Sequence, residues 1–113
     1  NMVNRTPQAN DWVHDNNDSN CSPFRHPVDI RVKLVETTFM TWFRIHYRYP
    51  HRLGDANQAI DAKINGTVSC LHKRVYLFRT GIVDVSCDNI VLMSSLVISG
   101  RITTMLCNIF VSG

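Results

Sequence analysis

The chain has 113 residues and a formal net charge of +3, with 44% hydrophobic and 19% charged residues. This is the composition of one ordinary globular domain, and the charge is too slight to argue for nucleic acid as a partner. Arg101 and several Ser and Thr interrupt every apolar window of about 18 residues near the C-terminus, so buried strands are expected there and not a membrane helix.

Residues 1–20 are rich in Asn and Asp and hold few large apolar groups, which predicts a loose N-terminal arm with Trp12 as its one candidate for docking. The folded domain is expected to run from 21 to 113. Between Pro27 and Pro50 no glycine interrupts the chain. There Val28, Val32, Val35, Phe39 and Trp42 recur at a helical period, with Arg31, Lys33 and Glu36 turned away. Pro27 suits a first helical position, Asp29 suits the positive end of the dipole, and Pro50 stops a helix near Tyr49. A long amphipathic helix over 28–46 is therefore predicted, with Phe39 and Trp42 in the core. The competing signal is the alternation of Val28, Ile30, Val32 and Leu34, whose β-branched members suit a strand.

After Pro50 the His51–Asp55 stretch reads as a turn, and Asn57–Ala62 as one helical turn or a loop. Ile64–Cys70 reads as a strand with Asn65-Gly66 at a hairpin turn, Arg74–Thr80 as a second strand closed by Gly81, and Val83–Cys87 as a third. Ile90–Ile98 and Ile102–Val111, divided by Ser99-Gly100-Arg101, are expected to form a terminal hairpin. The order gives an α+β domain in which one main helix covers an antiparallel sheet.

Cysteines stand at 21, 70, 87 and 107 with no CxxC pair, so disulfides are expected in place of a zinc site, and neither metal nor cofactor is implied. Sequons at Asn4, Asn17, Asn20 and Asn65 point towards secretion, although Pro follows those at Asn4 and Asn20 and makes them poor acceptors. The start of the chain shows no signal-peptide pattern, as in a mature form.

Three pieces together resemble the ribonuclease-like secreted effectors of powdery mildew fungi. They are Cys21 shortly ahead of the expected helix, the Tyr-x-Tyr-Pro-His-Arg run at 47–52, and the ending Leu106-Cys107-Asn108-Ile109-Phe110-Val111-Ser112-Gly113. The resemblance spans about residues 21–113 and implies a microbial ribonuclease-like fold, one helix on a curved antiparallel sheet. It implies a Cys21–Cys107 disulfide; a second pair, Cys70 with Cys87, stands open beside other pairings. It further implies a monomer secreted by a pathogen and delivered into the host cell, where it binds host plant proteins, an intracellular immune receptor among them.

Ribonucleases of that kind need a carboxylate base on a central strand, an Arg and a late His. Here Glu36 is the only Glu and falls in the expected helix, and no His follows His72. A pseudo-ribonuclease without catalytic residues is expected, with Arg79 standing in for the Arg and Asp61 and Asp84 the only strand-adjacent replacements for the base. The stretch 42–52 interleaves bases and aromatics, so Arg44, Arg48, His51 and Arg52, with Arg79, are the candidate contacts for a partner or for weak, salt-sensitive RNA binding. The plainer reading puts Trp42, Phe43 and Tyr47 in the core and leaves the Arg residues as a solvated helix end. Two alternatives remain: an active or RNA-binding ribonuclease, and a β-rich binding domain of a viral or cell-surface glycoprotein, which a fold without a long helix at 28–46 would favour.

Overall fold

The computed structural model describes residues 3–5, 21–39 and 42–111. Antiparallel strands dominate it, in two sheets with one short helix. In chain order the elements are β1 (Val3–Arg5), β2 (Ile30–Phe39), β3 (Trp42–Tyr47), α1 (Ala56–Ala59), β4 (Asp61–Ile64), β5 (Val68–Ser69), β6 (Arg74–Arg79), β7 (Ile82–Ser86), β8 (Leu92–Ser99) and β9 (Leu106–Val111). The first sheet has the order β1-β2-β8-β4-β5 and the second β6-β7-β3-β9. Their inner faces share one core, to which the first sheet gives Ile30, Val32, Ile64, Leu96 and Ile98 and the second Phe43, Ile45, Val83, Leu106 and Ile109.

The long helix expected over 28–46 is not there; β2 and β3 occupy that stretch. Both periods are written in the sequence, and pairing with distant segments decides between them. In β2, Ile30, Val32 and Leu34 are buried while Arg31 and Lys33 are exposed, the two-residue alternation of a strand with one face on the core. In β3, Phe43, Ile45 and Tyr47 point in and Trp42, Arg44 and His46 point out. A helix would have put Phe39 and Trp42 inside. Phe39 is instead 60% exposed, and the fully buried aromatic of this stretch is Phe43. The sheet is therefore covered by a second sheet and not by a helix, and the helix-on-sheet arrangement implied by the resemblance is not what the chain builds.

The later strands lie close to where alternation and turn residues put them. Asn65 and Gly66, at φ 55° and 83°, make the turn between β4 and β5. The terminal hairpin is not formed: β8 pairs with β2 and β4 in the first sheet, β9 with β3 in the second. Gly100 makes the crossing possible, because at φ 98° a Cβ there would lie 2.4 Å from the Ala59 carbonyl oxygen. A single 3-10 turn, Arg101–Thr104, then leads into β9. The short α1 is capped by Asp55, whose side chain accepts from the Asn57 backbone N–H at 3.0 Å.

Val3–Arg5, inside the stretch expected to be a loose arm, pairs antiparallel with β2. Trp12 and the sequons at Asn17 and Asn20 lie outside the described residues. Two disulfides join Cys21 to Cys107 and Cys70 to Cys87, with Cα atoms 4.0 and 5.1 Å apart. The first closes a separation of 86 residues, the second one of 17.

A candidate anion-binding cleft

Three segments far apart in sequence meet at one end of the second sheet. The first is Ser22–Arg25, anchored by the Cys21–Cys107 bond and by the Ser22 backbone N–H donating to the Leu106 carbonyl at 2.7 Å. The Ser22 hydroxyl donates to the Thr103 carbonyl at 2.5 Å, fixing the same segment to the 3-10 turn. The second is Arg48–Arg52, where the chain leaves β3. Arg48 donates its backbone N–H to the Met105 carbonyl at 3.0 Å, Tyr49 takes a left-handed conformation at φ 60°, and Pro50–Arg52 forms a 3-10 turn. The third is Arg101–Met105.

Between them lies a cleft of about 390 Å3 whose lining includes Arg25, Arg48, Arg52 and Arg101 around Tyr49. Among the described residues no carboxylate lines it, and none of these four guanidiniums is in an ion pair. Arg101 is held in place by its Nε and Nη2 donating to the Leu53 carbonyl at 3.1 and 2.6 Å. Gly54 leaves room for it: at φ 68°, a Cβ there would sit 3.0 Å from Arg101 Nη2. The guanidiniums of Arg48 and Arg52 stand 4.9 and 4.6 Å from the centre of the Tyr49 ring. The Nε of Arg48 is buried and has no hydrogen-bond partner among the described residues. A buried donor left without an acceptor is costly.

The candidate contacts read from the sequence divide into two groups. Arg48 and Arg52 are in the cleft, and His51 lies beside it, its ring 6.5 Å from that of Tyr49. Arg44 and Arg79 belong to the outer face of the second sheet. There Arg44 donates through Nε and Nη2 to the two carboxylate oxygens of Asp84, at 2.7 and 2.9 Å, and Arg79 stands 5.0 Å from the Phe78 ring. The Asp84 hydrogen bond holds the Arg44 guanidinium above its usual pKa. At the rim of that face Asp88 binds Arg74 at 2.8 Å and His72 at 3.0 Å, and these contacts, Arg74 first, hold its carboxyl below the usual range.

Asp61 opens β4, and its carboxylate accepts from the Ala62 backbone N–H at 2.9 Å. Asp84 is closed by Arg44, and the side chain of Glu36 lies outside the described residues. The Asn65 side chain, part of a sequon, accepts from the Ser94 backbone N–H at 2.8 Å and donates to the Leu92 carbonyl at 3.2 Å, so a glycan there would compete with a bond that ties the turn to β8. Among the described residues no group of three or more His, Cys, Asp or Glu is placed to hold a metal ion.

Sequence reasoning missed Arg25 and Arg101. Their meeting was nonetheless implicit in the expected Cys21–Cys107 link, since a bond between those residues brings 22–25 against the segment preceding 107. No family model, curated protein or solved structure matches the chain.

Proposed function

We propose that this chain is a secreted binding module whose cleft holds the sulfate groups of an extracellular polysaccharide. The observation that carries the reading is the cluster of Arg25, Arg48, Arg52 and Arg101 around Tyr49, with no carboxylate among the lining residues. Guanidinium forks match tetrahedral oxyanions in geometry as well as charge, and the group stays cationic at any physiological pH. The two disulfides support an oxidising compartment, where sulfated polysaccharides are the abundant polyanions. RNA offers the same kind of oxyanion, but single-stranded RNA binders also stack bases on open aromatic faces. Tyr49 already carries Arg48 and Arg52 against its ring.

The Cys21–Cys107 bond favours a second reading, the secreted, non-catalytic effector that binds host plant proteins and is recognised by an immune receptor. That reading also leans on a ribonuclease-like helix; the chain has β2 and β3 there, and the lack of a long helix over 28–46 favours over it a β-rich binding domain of a viral or cell-surface glycoprotein.

The test is titration of heparin, as a sulfated probe, at low and high salt, with a single-stranded RNA oligonucleotide in a parallel arm. Binding to heparin is expected at low salt and should weaken as salt rises. In the Arg48→Ala/Arg52→Ala variant it should fall by at least ~10-fold, equal to about 1.4 kcal/mol, and in Arg79→Ala it should be unchanged. Tighter binding to RNA than to heparin would move the reading to nucleic acid. No binding to either polymer at low salt would overturn it.

A further inference from the structure

On the outer face of the second sheet, away from the cleft, is a depression of about 460 Å3 lined by Trp42, Arg74, Val75, Tyr76, Asp84 and Ser86. Strand register explains its shape. Ser86 of β7 stands opposite Trp42 of β3 on one side and Arg74 of β6 on the other, and in the next row Asp84 stands between Arg44 and Tyr76. The central strand β7 therefore supplies a polar floor, and the two flanking strands supply aromatic walls. With strands spaced about 4.7–4.9 Å, β3 and β6 lie roughly 9–10 Å apart across β7. Tyr76 is 66% exposed, so its ring is free to receive a ligand. The Arg44 guanidinium stands 5.1 Å from the Trp42 ring centre and 4.1 Å from that of Phe78.

The charges at this depression are closed in pairs. Arg44 forms a bidentate pair with Asp84, and Arg74 is bound by Asp88 at 2.8 Å. A site built from two aromatic rings and paired charges suits a ligand that is neutral, polar at its edge and apolar on its faces. A pyranose ring is such a ligand: its axial C–H groups make apolar faces and its hydroxyls point outward from the rim.

We propose that this depression is a binding site for a neutral pyranose unit of a polysaccharide, seated between Trp42 and Tyr76. The depression, about 460 Å3, has room for one pyranose ring, with Trp42 on the β3 wall and Tyr76, one row along, on the β6 wall. The Asp84 carboxylate uses one acceptor position on each oxygen for Arg44 and keeps others for two neighbouring sugar hydroxyls, while Ser86 both donates and accepts. A flat apolar ligand would bury those acceptors unfilled, which is unfavourable. An anionic ligand would meet the Asp84 carboxylate on the floor. The inference does not depend on the cleft, because the two sites share no lining residue.

Fluorescence tests it directly. The chain has 2 Trp residues, so a Trp12→Phe variant reports from Trp42 alone. Cellotetraose, chitotetraose and mannotetraose are titrated in turn. At least one is expected to give a saturable shift in Trp42 emission with a Kd near the millimolar range, about −4 kcal/mol. The response should weaken at least ~10-fold in Tyr76→Ala and in Asp84→Asn, each checked for an unchanged circular dichroism spectrum, and should be indifferent to Arg48→Ala/Arg52→Ala. Tyr76 is exposed, so its truncation leaves the fold intact and reads the site alone. No saturable change with any of the three sugars, or a change that survives both Tyr76→Ala and Asp84→Asn, overturns the proposal.

Discussion

The cleft and the outer face of the second sheet are both built from arginines and aromatic rings, yet they are opposite in character. On the sheet face Arg44 and Arg74 each have a carboxylate partner, Asp84 and Asp88. In the cleft, none of Arg25, Arg48, Arg52 and Arg101 is in an ion pair among the described residues. Residue type alone does not set what a surface attracts; whether the charge is closed within the fold does. Each region is also tied by its own disulfide. Cys21–Cys107 holds Ser22–Arg25 against the cleft, and Cys70–Cys87 joins the residue after β5 in the first sheet to the residue after β7 in the second, next to Ser86 of the depression.

The largest effect that separates the two regions should come from those bonds. In the loop-entropy picture, replacing Cys21 and Cys107 by Ser costs about 4–5 kcal/mol, and replacing Cys70 and Cys87 about 3 kcal/mol. Urea unfolding should show that order. In whatever fraction stays folded, amide exchange should rise first at 22–25 for the former variant and at 71–88 for the latter. Uniform loosening of both regions by either variant would break the comparison.

A smaller effect on stability, but a sharper one on character, is expected for Asp84→Asn. The Arg44–Asp84 pair is partly exposed, with side chains 27% and 20% accessible, so solvent screening keeps the cost of its loss small. It would leave the Arg44 guanidinium without its counter-charge and so give the sheet face a second place for heparin. Titration should then show added heparin binding that persists in the Arg48→Ala/Arg52→Ala background. If none appears, pairing is not what distinguishes the two surfaces.

The smallest expected effect is on pH dependence. Asp88 has its carboxyl held below the ordinary range by Arg74 and His72. A depressed folded-state value means its contribution to stability is present above the unfolded carboxylate range, about pH 3.9, and is lost as pH falls through the lower folded value. Between pH 5 and pH 2 the urea midpoint of the wild type should fall slightly more than that of Asp88→Asn. Equal slopes would show that the rim pair adds nothing.

Much of the second half of the chain was legible from local signals. The turn at Asn65-Gly66 follows from residues that accept positive φ, and β6 and β7 follow from alternation bounded by Gly81. That disulfides form at all was expected from the even cysteine count; the Cys21–Cys107 pairing was implied by the resemblance, and Cys70–Cys87 stood open beside other pairings. The stretch 28–46 was not legible, because Val28, Val32, Val35, Phe39 and Trp42 satisfy a helical period while Ile30, Val32 and Leu34 satisfy a strand period. Only pairing of β2 with β8, and of β3 with β7 and β9, selects the second.

By itself, then, the sequence determined several antiparallel strands, an even set of cysteines able to pair and a surplus of arginine around residues 44–52, since composition, cysteine number and turn chemistry act locally. Tertiary structure alone decided that a second sheet, not a helix, covers the first, because strand pairing joins residues as far apart as Ile30 and Ile98. It also decided which arginines are closed. Asp84 reaches Arg44 across forty residues, while Arg25 and Arg101 come to Arg48 through the Cys21–Cys107 bond, the Ser22 and Arg48 backbone bonds to Leu106 and Met105, and the crossing at Gly100. Contacts of that range are set by packing and loop closure, which no local period or propensity encodes.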